Sequence, residues 1–486
     1  MEQKSLKRNY ILNLIKTFCS LSFPLITFAY ASKTLSVNGI GKVDFSKSIV
    51  SYFTLFATLG ISTYGIREGA KLRDDKKKFS GLVKEIFTIN LITTILAYIV
   101  FFISLFAVPK FGEYRELLLI NSLSIGFTAL GLEWLYGALE EYQYITIRYI
   151  IFQIISFVLL FSFVKNQDDY YKYAMIIVFS TVGSNIINFV HARHFVELRN
   201  TGKLQLKRHL KPIFIFFANT LAGNIQLTLD TAMIGFLSTE YAVGLYSTSV
   251  KVNSVCVPVI TSLSTVLLPR VSYYVQTKEM EKYRRLLKQA FECIMIFALP
   301  IACGIFQLSD EIILLFSKAD FLPASPCIKL LSVTIIAVPT SMMIANQILV
   351  PFGKEKFHLY AIFAGAVVNV IINAILIPRF TYVGAAIGTA IAEILGAVLN
   401  LIFAFKYFDF RFAFKDVWHY AVASAIMFVV IIPIGFFAGG ILKCILCGVI
   451  GAISYAFVLF LMQDDFFIMA LGIVKAKMNA FIKRVK

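Results

Sequence analysis

The sequence is poor in charged residues. Aspartate, glutamate, lysine and arginine together make up 15% of the chain, and apolar residues make up 58%. A soluble domain carries about a quarter charged residues and about half apolar ones. The composition therefore excludes an ordinary soluble protein, and we expect an all-α polytopic membrane protein.

Several signatures of catalysis are also missing. The chain has no G-x-x-x-x-G-K-[ST] loop, which argues against a nucleotide-hydrolysing subunit. Its five histidines are not in ligand spacing, and the one C-x-x-C pair, Cys444 and Cys447, lies in an apolar run where packing explains it. The longest outer loop, about 309–326, is small for a glycosyltransferase or polymerase site. We expect a protein that is not an enzyme and that holds no metal or cofactor.

Long apolar runs predict about fourteen transmembrane helices, because about 20 helical residues cross a bilayer. The predicted spans are 10–32, 43–66, 83–108, 116–139, 144–164, 170–190, 212–237, 242–268, 289–308, 327–351, 358–377, 383–405, 417–438 and 440–462. The first span lacks a small-residue cleavage site and is expected to be retained.

The loop charges predict the orientation of these spans. Lysine and arginine number 33 on the side that carries both termini and 11 on the opposite side. Positively charged loops favour the cytoplasm. We expect a multi-pass protein of the bacterial cytoplasmic membrane with both termini inside.

Two halves of the chain share a weak pattern. Gly39-Ile40-Gly41 opens the second span, and Ala242-Val243-Gly244 opens the eighth, about 203 residues later. Similarity at one long offset is typical of a parallel repeat in transporters. We predict an N-terminal six-helix lobe at 1–200, a second at 201–410, and a helix pair with a basic tail at 411–486.

The second span is unusual in its small and hydroxyl-bearing residues. Such side chains let helices approach closely and hydrogen-bond across their interface, so this helix should face protein or water rather than lipid. The hydroxyl residues are Ser46, Ser48, Ser51, Thr54, Thr58, Ser62 and Thr63.

Charged residues inside spans are costly and are the candidates for function. A cluster of cations suits a phosphate-bearing ligand. The candidate cations are Lys16, Arg67, Arg148 and Lys251. Snorkelling explains Lys16 equally well, and an interfacial pair with Glu68 explains Arg67.

Three carboxylates accompany them. Glu133 is expected to pair with Lys16, Arg67 or Arg148. Asp230 is expected to pair with Lys251, either as a structural pair or as a gate. Glu393, mid-depth in the twelfth span, is a candidate site for a coupling proton or sodium ion.

Polar amides in the seventh span could bind sugar hydroxyls or hydrogen-bond between helices. These residues are Asn219, Asn224 and Gln226.

Four segments resemble the O-antigen and capsule-unit flippases, in the superfamily that includes multidrug and toxin extruders and lipid II flippases. They are YASKTLSVNGIGKVDFSKSIVSYF (30–53), YGIREGAKLR (64–73), GLEWLYGALEEYQYI (131–145) and DTAMIGFLSTEYAVGLYSTSVKV (230–252).

The resemblance implies two six-helix lobes that form a V around a central cationic cavity, with an additional C-terminal helix pair. It implies transport of undecaprenyl-diphosphate-linked oligosaccharide units to the outer leaflet by alternating access. Lys16, Arg67 and Lys251 are the positions to which the family's phosphate-binding role would apply. Partners would be the lipid-linked substrate, membrane lipids, and polymerases and glycosyltransferases of the same pathway, with no nucleic acid.

Two alternatives remain open at this point. A MATE-type, ion-coupled multidrug exporter would share the fold but export small organic cations. A membrane polysaccharide polymerase or ligase would alter chain length or ligation while units still crossed the membrane.

Overall fold

The computed structural model describes residues 6–197, 204–405, 417–437 and 439–472. Helices and their connections account for this part of the chain, and no strand occurs in it. The protein is an all-α polytopic membrane protein, as expected. The chain forms two compact units, Met1–Ser247 and Thr248–Lys486. The boundary predicted after residue 200, the one after 410 and most of the basic tail lie outside the described residues, so the predicted lobes stay a prediction.

The first unit contains eleven helices and the start of a twelfth. They are α1 (Leu6–Thr34), α2 (Val37–Thr58), α3 (Ile61–Leu72), α4 (Lys76–Ala107), α5 (Pro109–Glu113), α6 (Arg115–Gly131), α7 (Glu133–Ala138), α8 (Tyr142–Phe163), α9 (Tyr170–Val182), α10 (Asn185–Ala192), α11 (Lys207–Leu237) and α12 (Glu240–Gln276).

The second unit continues α12 and adds the remaining helices. They are α13 (Met280–Gln307), α14 (Ser309–Phe316), a 3₁₀ turn (Ala319–Ala324), α15 (Ser325–Leu331), α16 (Thr334–Ile344) with a π-helical end (Ala345–Leu349), α17 (Glu355–Phe405), α18 (Val417–Ile431), α19 (Ile434–Phe437) and α20 (Gly440–Leu461).

Within the described ranges, nine helical segments are long and apolar enough to cross a membrane, or ten if the bent pair Ala319–Leu331 and Thr334–Leu349 is one span. One of the nine, α17, is interrupted at Thr381, whose φ is 50° and ψ −127°. It therefore contains two predicted spans, 358–377 and 383–405. The count of fourteen is compatible with these segments and stays a prediction. The C-terminal helices α18 and α20 pack against each other and against α13.

Several helix starts follow from their capping residues. Ser36 accepts a hydrogen bond from the Gly39 backbone N–H at 3.1 Å and begins α2. Asp75 accepts from the Lys78 N–H at 3.0 Å and begins α4. Such caps satisfy backbone donors that the first turn leaves without a partner.

Two spans of the first unit are broken inside the apolar stretch. The break between α2 and α3 falls at Leu59 and Gly60, with φ of 42° and 69°, and the break between α6 and α7 falls at Leu132, with φ of 44°. Each break frees carbonyl groups that hydrocarbon cannot satisfy.

Side chains from neighbouring helices satisfy these carbonyls. The Thr93 hydroxyl donates to the Ala57 carbonyl at 2.6 Å. The Asn188 amide donates to the Gly131 carbonyl at 2.8 Å. These polar residues of α4 and α10 therefore stabilise the broken helices, as internal partners must in a membrane.

The hydroxyl groups of α2 behave differently from the expectation in most cases. Ser46 accepts a bond from the Asn121 amide of α6 at 3.0 Å, as expected. Ser48, Ser51 and Thr54 instead donate to carbonyls of α2 itself. A hydroxyl in an apolar helix reaches the carbonyl three or four residues earlier without needing a second helix.

Glycines at the starts of α2 and α12 allow these two helices to cross very closely. A Cβ atom on Gly41 would lie 1.8 Å from the Glu240 carbonyl oxygen, and one on Gly244 would lie 2.3 Å from the Val37 carbonyl oxygen. Gly41 and Gly244 are the two positions that the 203-residue offset relates. The sequence repeat thus coincides with a backbone-to-backbone contact.

Candidate substrate-binding site

Arg67 lies on α3 beside a carboxylate and two aromatic rings. Its Nε donates to Glu68 Oε1 at 2.8 Å, and about half of the Arg67 side chain is exposed. The guanidinium carbon lies 5.1 Å from the Phe216 ring centroid and 5.7 Å from that of Tyr64. Lys71 shares Glu68 at 2.9 Å. Two cations and one carboxylate leave a local positive charge, with the Arg67 fork held against aromatic faces.

The position of α3 depends on its packing against α7. A Cβ on Gly65 would lie 2.5 Å from the Trp134 ring, and one on Gly137 would lie 3.2 Å from Ile66. Small residues on each helix thus receive a large side chain from the other. Tyr64 and Trp134 belong to one buried cluster that also includes residues of α4. Arg67 therefore projects from a rigid base.

A buried carboxylate network joins α4 to the start of α11, and no local sequence pattern indicates it. Glu85 is 5% exposed. Its Oε2 accepts bonds from Arg208 at 2.6 Å and from His209 at 2.8 Å, and its Oε1 accepts the Gln205 backbone N–H at 2.7 Å. The other ring nitrogen of His209 lies 2.6 Å from the Tyr64 hydroxyl.

This network fixes the start of α11 beside Arg67, because Tyr64 is one turn before Arg67 on α3. Glu85 and Arg208 are 123 residues apart, so no local pattern could indicate the pairing. His209 is 3% exposed.

Three cations were predicted as partners of Glu133, and the structure shows Arg148 paired with it. Its Nη2 lies 2.9 Å from Glu133 Oε1. Arg148 is 6% exposed, whereas about half of the Glu133 side chain is accessible. Glu133 begins α7 directly after the break at Leu132. The pair thus stabilises the junction of α7 with α8.

Asp230 is buried in α11 and accepts a bond from the Tyr246 hydroxyl at 2.6 Å. Tyr246 was not expected as a partner, because hydrophobic periodicity does not single out a tyrosine in an apolar helix. Lys251 lies half-buried on α12 in the second unit. Its ion pair with Asp230 stays a prediction.

The remaining candidates are placed as follows. Lys16 is half-buried on α1, and Glu393 is half-buried on the second part of α17. Asn224 donates to the Thr220 carbonyl of its own helix at 3.0 Å. Asn219 and Gln226 lie on α11, and their side chains are outside the described part of the chain.

The second unit contains two polar clusters that the sequence did not indicate. Lys443 and Glu311 form an ion pair between α20 and α14, with both side chains largely buried. Asn400 of α17 donates to the Ser341 hydroxyl at 2.7 Å and lies 3.0 Å from the His358 ring. Among the described residues, no group of three or more histidine, cysteine, aspartate or glutamate side chains could hold a metal ion.

The apolar helices and the charged groups between them define a polytopic membrane transport protein. The family model "Polysaccharide biosynthesis protein" matches residues 6–275, which is more than half of the 486-residue chain, and the MatE model matches residues 215–375. The chain belongs to the polysaccharide biosynthesis protein family. The resemblance seen in the sequence is thereby confirmed at the level of the family.

Two relatives illustrate the match. A "Putative O-antigen transporter" of Escherichia coli (strain K12) is 21% identical over 405 residues, which is 82% of this chain and 96% of that protein. A "Probable low-salt glycan biosynthesis flippase Agl15" of Haloferax volcanii is 25% identical over 209 residues, 43% of this chain. That alignment spans 44% of the length of the Haloferax protein.

Solved structures share the fold. "Lipid II flippase MurJ, inward closed conformation" aligns with a TM-score of 0.75 at 20% identity, over 94% of this chain and 99% of that one. An inward-facing multidrug resistance MATE family transporter of the MOP superfamily aligns with a TM-score of 0.61 at 13% identity, over 79% and 93%. The chain therefore shares the fold of these transporters.

Proposed function

We propose that the protein moves undecaprenyl-diphosphate-linked oligosaccharide repeat units from the inner to the outer leaflet of the bacterial cytoplasmic membrane by alternating access. The units would serve O-antigen or capsule synthesis, beside polymerases and glycosyltransferases of the same pathway. The observation that carries the proposal is the alignment with the putative O-antigen transporter over 96% of that protein.

The diphosphate is the part of this cargo that cationic side chains recognise best. Arg67 offers a planar fork of donors with about half of its side chain accessible. Guanidinium groups bind phosphate oxygens through paired, charge-assisted hydrogen bonds. We assign Arg67, Lys16 and Lys251 to the diphosphate, and we treat Arg148 separately below because it lines a pocket of its own.

The polar amides and the carboxylates complete this assignment. Asn219, Asn224 and Gln226 would contact sugar hydroxyls along α11. Asp230 and Glu393 would carry the coupling proton or sodium ion, since a carboxylate within a span is retained only for a partner or a function.

The MatE match over residues 215–375 supports a second candidate function, an ion-coupled drug exporter. Local positive charge around Arg67 and Lys71 disfavours the organic cations that such exporters carry, because like charges repel. Depletion of the protein distinguishes the two functions. Loss of a flippase causes lipid-linked units to accumulate, whereas loss of an exporter raises sensitivity to cationic drugs.

The proposal is tested by depleting the protein in its host and locating the lipid-linked oligosaccharide units. Complete units should accumulate in the inner leaflet. Expression of Arg67→Ala or Lys251→Ala should restore less than about a tenth of the outward flux, since loss of one charge-assisted contact costs about 1.5–3 kcal/mol. Arg67→Lys should restore more than Arg67→Ala, because it keeps the charge.

Lys78→Ala is the matched control, since the Lys78 side chain, in the first turn of α4, is 71% exposed and its ion pair in the described part of the chain is with Asp75, the N-cap of that helix. It should restore wild-type flux. Unpolymerised units in the outer leaflet would instead indicate a polymerase. Sensitivity to cationic drugs without any accumulated unit would indicate the exporter.

A further inference from the structure

Arg148 lines a pocket of about 480 Å³ on the first unit, beside the start of α8. Tyr144, Ile147 and Ile151 of the same helix and Ile187 of α10 form much of its wall, and Glu141 lies at the start of the helix. The pocket belongs to neither the Arg67 cluster nor the Glu85 network, since none of their residues line it.

Arg148 brings unused hydrogen-bond donors to this pocket. Only its Nη2 is engaged, by Glu133, while the buried Nε and Nη1 have no hydrogen-bond partner in the described part of the chain. A buried donor without a partner is costly, and more so when it carries a charge. An arginine that is 94% buried and has two donor groups without a hydrogen-bond partner therefore indicates a ligand with acceptor oxygens.

The pocket opens towards lipid. An apolar stripe runs along α8 from the pocket to the far end of the helix, and each of its side chains is about half exposed. The stripe consists of Ile147, Ile151, Ile154, Val158 and Phe161. An aqueous cavity would not be lined by a continuous isoleucine, valine and phenylalanine surface, so this face contacts acyl chains.

The depth of Arg148 suits a lipid headgroup. Arg148 follows the first residue of α8, Tyr142, by six positions. At 1.5 Å per residue, it lies about 9 Å along the helix from that end. The headgroup region of a bilayer is about 5–8 Å deep on each side. A phosphate at the inner boundary of this region would reach the guanidinium.

The charge around the pocket narrows the choice of headgroup. Arg148 is accompanied by the carboxylates of Glu133, its partner, and Glu141, which lines the pocket. A headgroup with an anionic charge only would lie near two carboxylates, whereas one that also bears an ammonium group would have a partner for each charge. Tyr144 stacks on His191 at 4.1 Å, and its ring centroid lies 6.0 Å from the Arg148 guanidinium carbon, so Tyr144 helps to hold Arg148 at the pocket wall.

We propose that this pocket is a binding site for a zwitterionic, amine-bearing phospholipid of the phosphatidylethanolamine type. Its phosphodiester accepts from Nε and Nη1 of Arg148, its ammonium lies near Glu141, and an acyl chain lies over Ile151 along α8. The bound lipid stabilises the α7–α8 junction next to α3. This proposal does not depend on which cargo the protein transports.

The test uses the purified full chain in nanodiscs of equal parts phosphatidylethanolamine, phosphatidylglycerol and phosphatidylcholine. Retained lipid is counted by native mass spectrometry after release into detergent. The wild type should retain phosphatidylethanolamine about tenfold over phosphatidylglycerol, which corresponds to one charge-assisted contact. Ile151→Trp, which fills the pocket from its exposed side, should remove this retention.

Ile154→Trp is the matched control, because Ile154 has a similar exposure on the same stripe but does not line the pocket. It should retain lipid as the wild type does. Glu141→Gln should reduce the preference over phosphatidylglycerol, and Arg148→Gln should abolish retention. If Arg148→Gln does not fold, the comparison of Ile151→Trp with Ile154→Trp still tests whether the lipid occupies this pocket.

Three results would overturn the proposal. Equal retention by Ile151→Trp and Ile154→Trp would place the lipid elsewhere. Retention in the proportions of the nanodisc would indicate apolar adhesion without headgroup recognition. Displacement of the lipid by a short polyprenyl diphosphate would assign Arg148 to the transported substrate instead.

Discussion

Replacing Gly41 with alanine is expected to destabilise the protein by about 3 kcal/mol or more and to abolish transport. The added Cβ would lie 1.8 Å from the Glu240 carbonyl oxygen and 3.0 Å from the Gly244 nitrogen. Both are backbone atoms, so no side-chain rotation can relieve the overlap, and α2 must separate from α12. Overpacking of this kind costs about 1–3 kcal/mol even where side chains can adjust.

Gly39→Ala provides the control two residues earlier on the same helix. Its Cβ would meet the Ser36 hydroxyl at 3.2 Å and the Tyr170 side chain at 3.3 Å, and shifts of a few tenths of an ångström relieve such contacts. Thermal unfolding in detergent should show a much lower midpoint for Gly41→Ala than for Gly39→Ala, and Gly244→Ala should resemble Gly41→Ala. Equal midpoints for Gly39→Ala and Gly41→Ala would contradict the close crossing.

Replacing Glu85 with alanine is expected to have the second largest effect, a loss of about 2–3 kcal/mol in the free energy of unfolding, because the cost is moderated by Arg208, which is 55% exposed and can bond to water instead. Glu85 accepts hydrogen bonds from Arg208, His209 and the Gln205 backbone. Its removal leaves these groups without their acceptor, and breaking a buried pair costs far more than an exposed one. Because the network fixes the start of α11 beside α3, transport should fall as well.

Glu197→Ala is the control for this change, since the Glu197–Lys76 ion pair connects the same region but both side chains are more than half exposed. Exposed pairs contribute roughly 0–1 kcal/mol. Glu85→Gln should fall between the two, because an amide oxygen still accepts but carries no charge. If Glu85→Ala and Glu197→Ala shift the unfolding midpoint equally, the buried network does not stabilise the fold.

The class of fold could be predicted from the sequence because hydrocarbon thickness imposes long apolar runs. The helix breaks could not. Leu59 and Leu132 adopt positive φ, which leucine rarely does, and the distant Thr93 and Asn188 side chains donate to carbonyls beside these breaks. A single sequence does not show which polar side chain reaches which carbonyl.

The candidate site could likewise be predicted only in part from the sequence. Charged residues within spans identified Arg148 and Glu133, and their similar depth made Arg148 one of three predicted partners, of which the structure shows Arg148 paired with Glu133. Glu85 and His209 were missed because they lie at the ends of predicted spans, where charged and polar residues are common. Their burial results from the contacts of Gln205, Arg208 and His209 with Glu85 of α4, which are tertiary contacts without a local pattern.

The proposed function requires that this chain, without a second protein, turn a lipid-linked oligosaccharide across a bilayer. The most direct measurement reconstitutes the purified protein in vesicles whose undecaprenyl-diphosphate oligosaccharide starts on one leaflet, and follows its access to an impermeant lectin on the other. We predict protein-dependent transfer without nucleotide, strongly reduced in Arg67→Ala and unchanged in Lys78→Ala. Transfer that is no faster than in protein-free vesicles, with or without a proton or sodium gradient, would contradict the account.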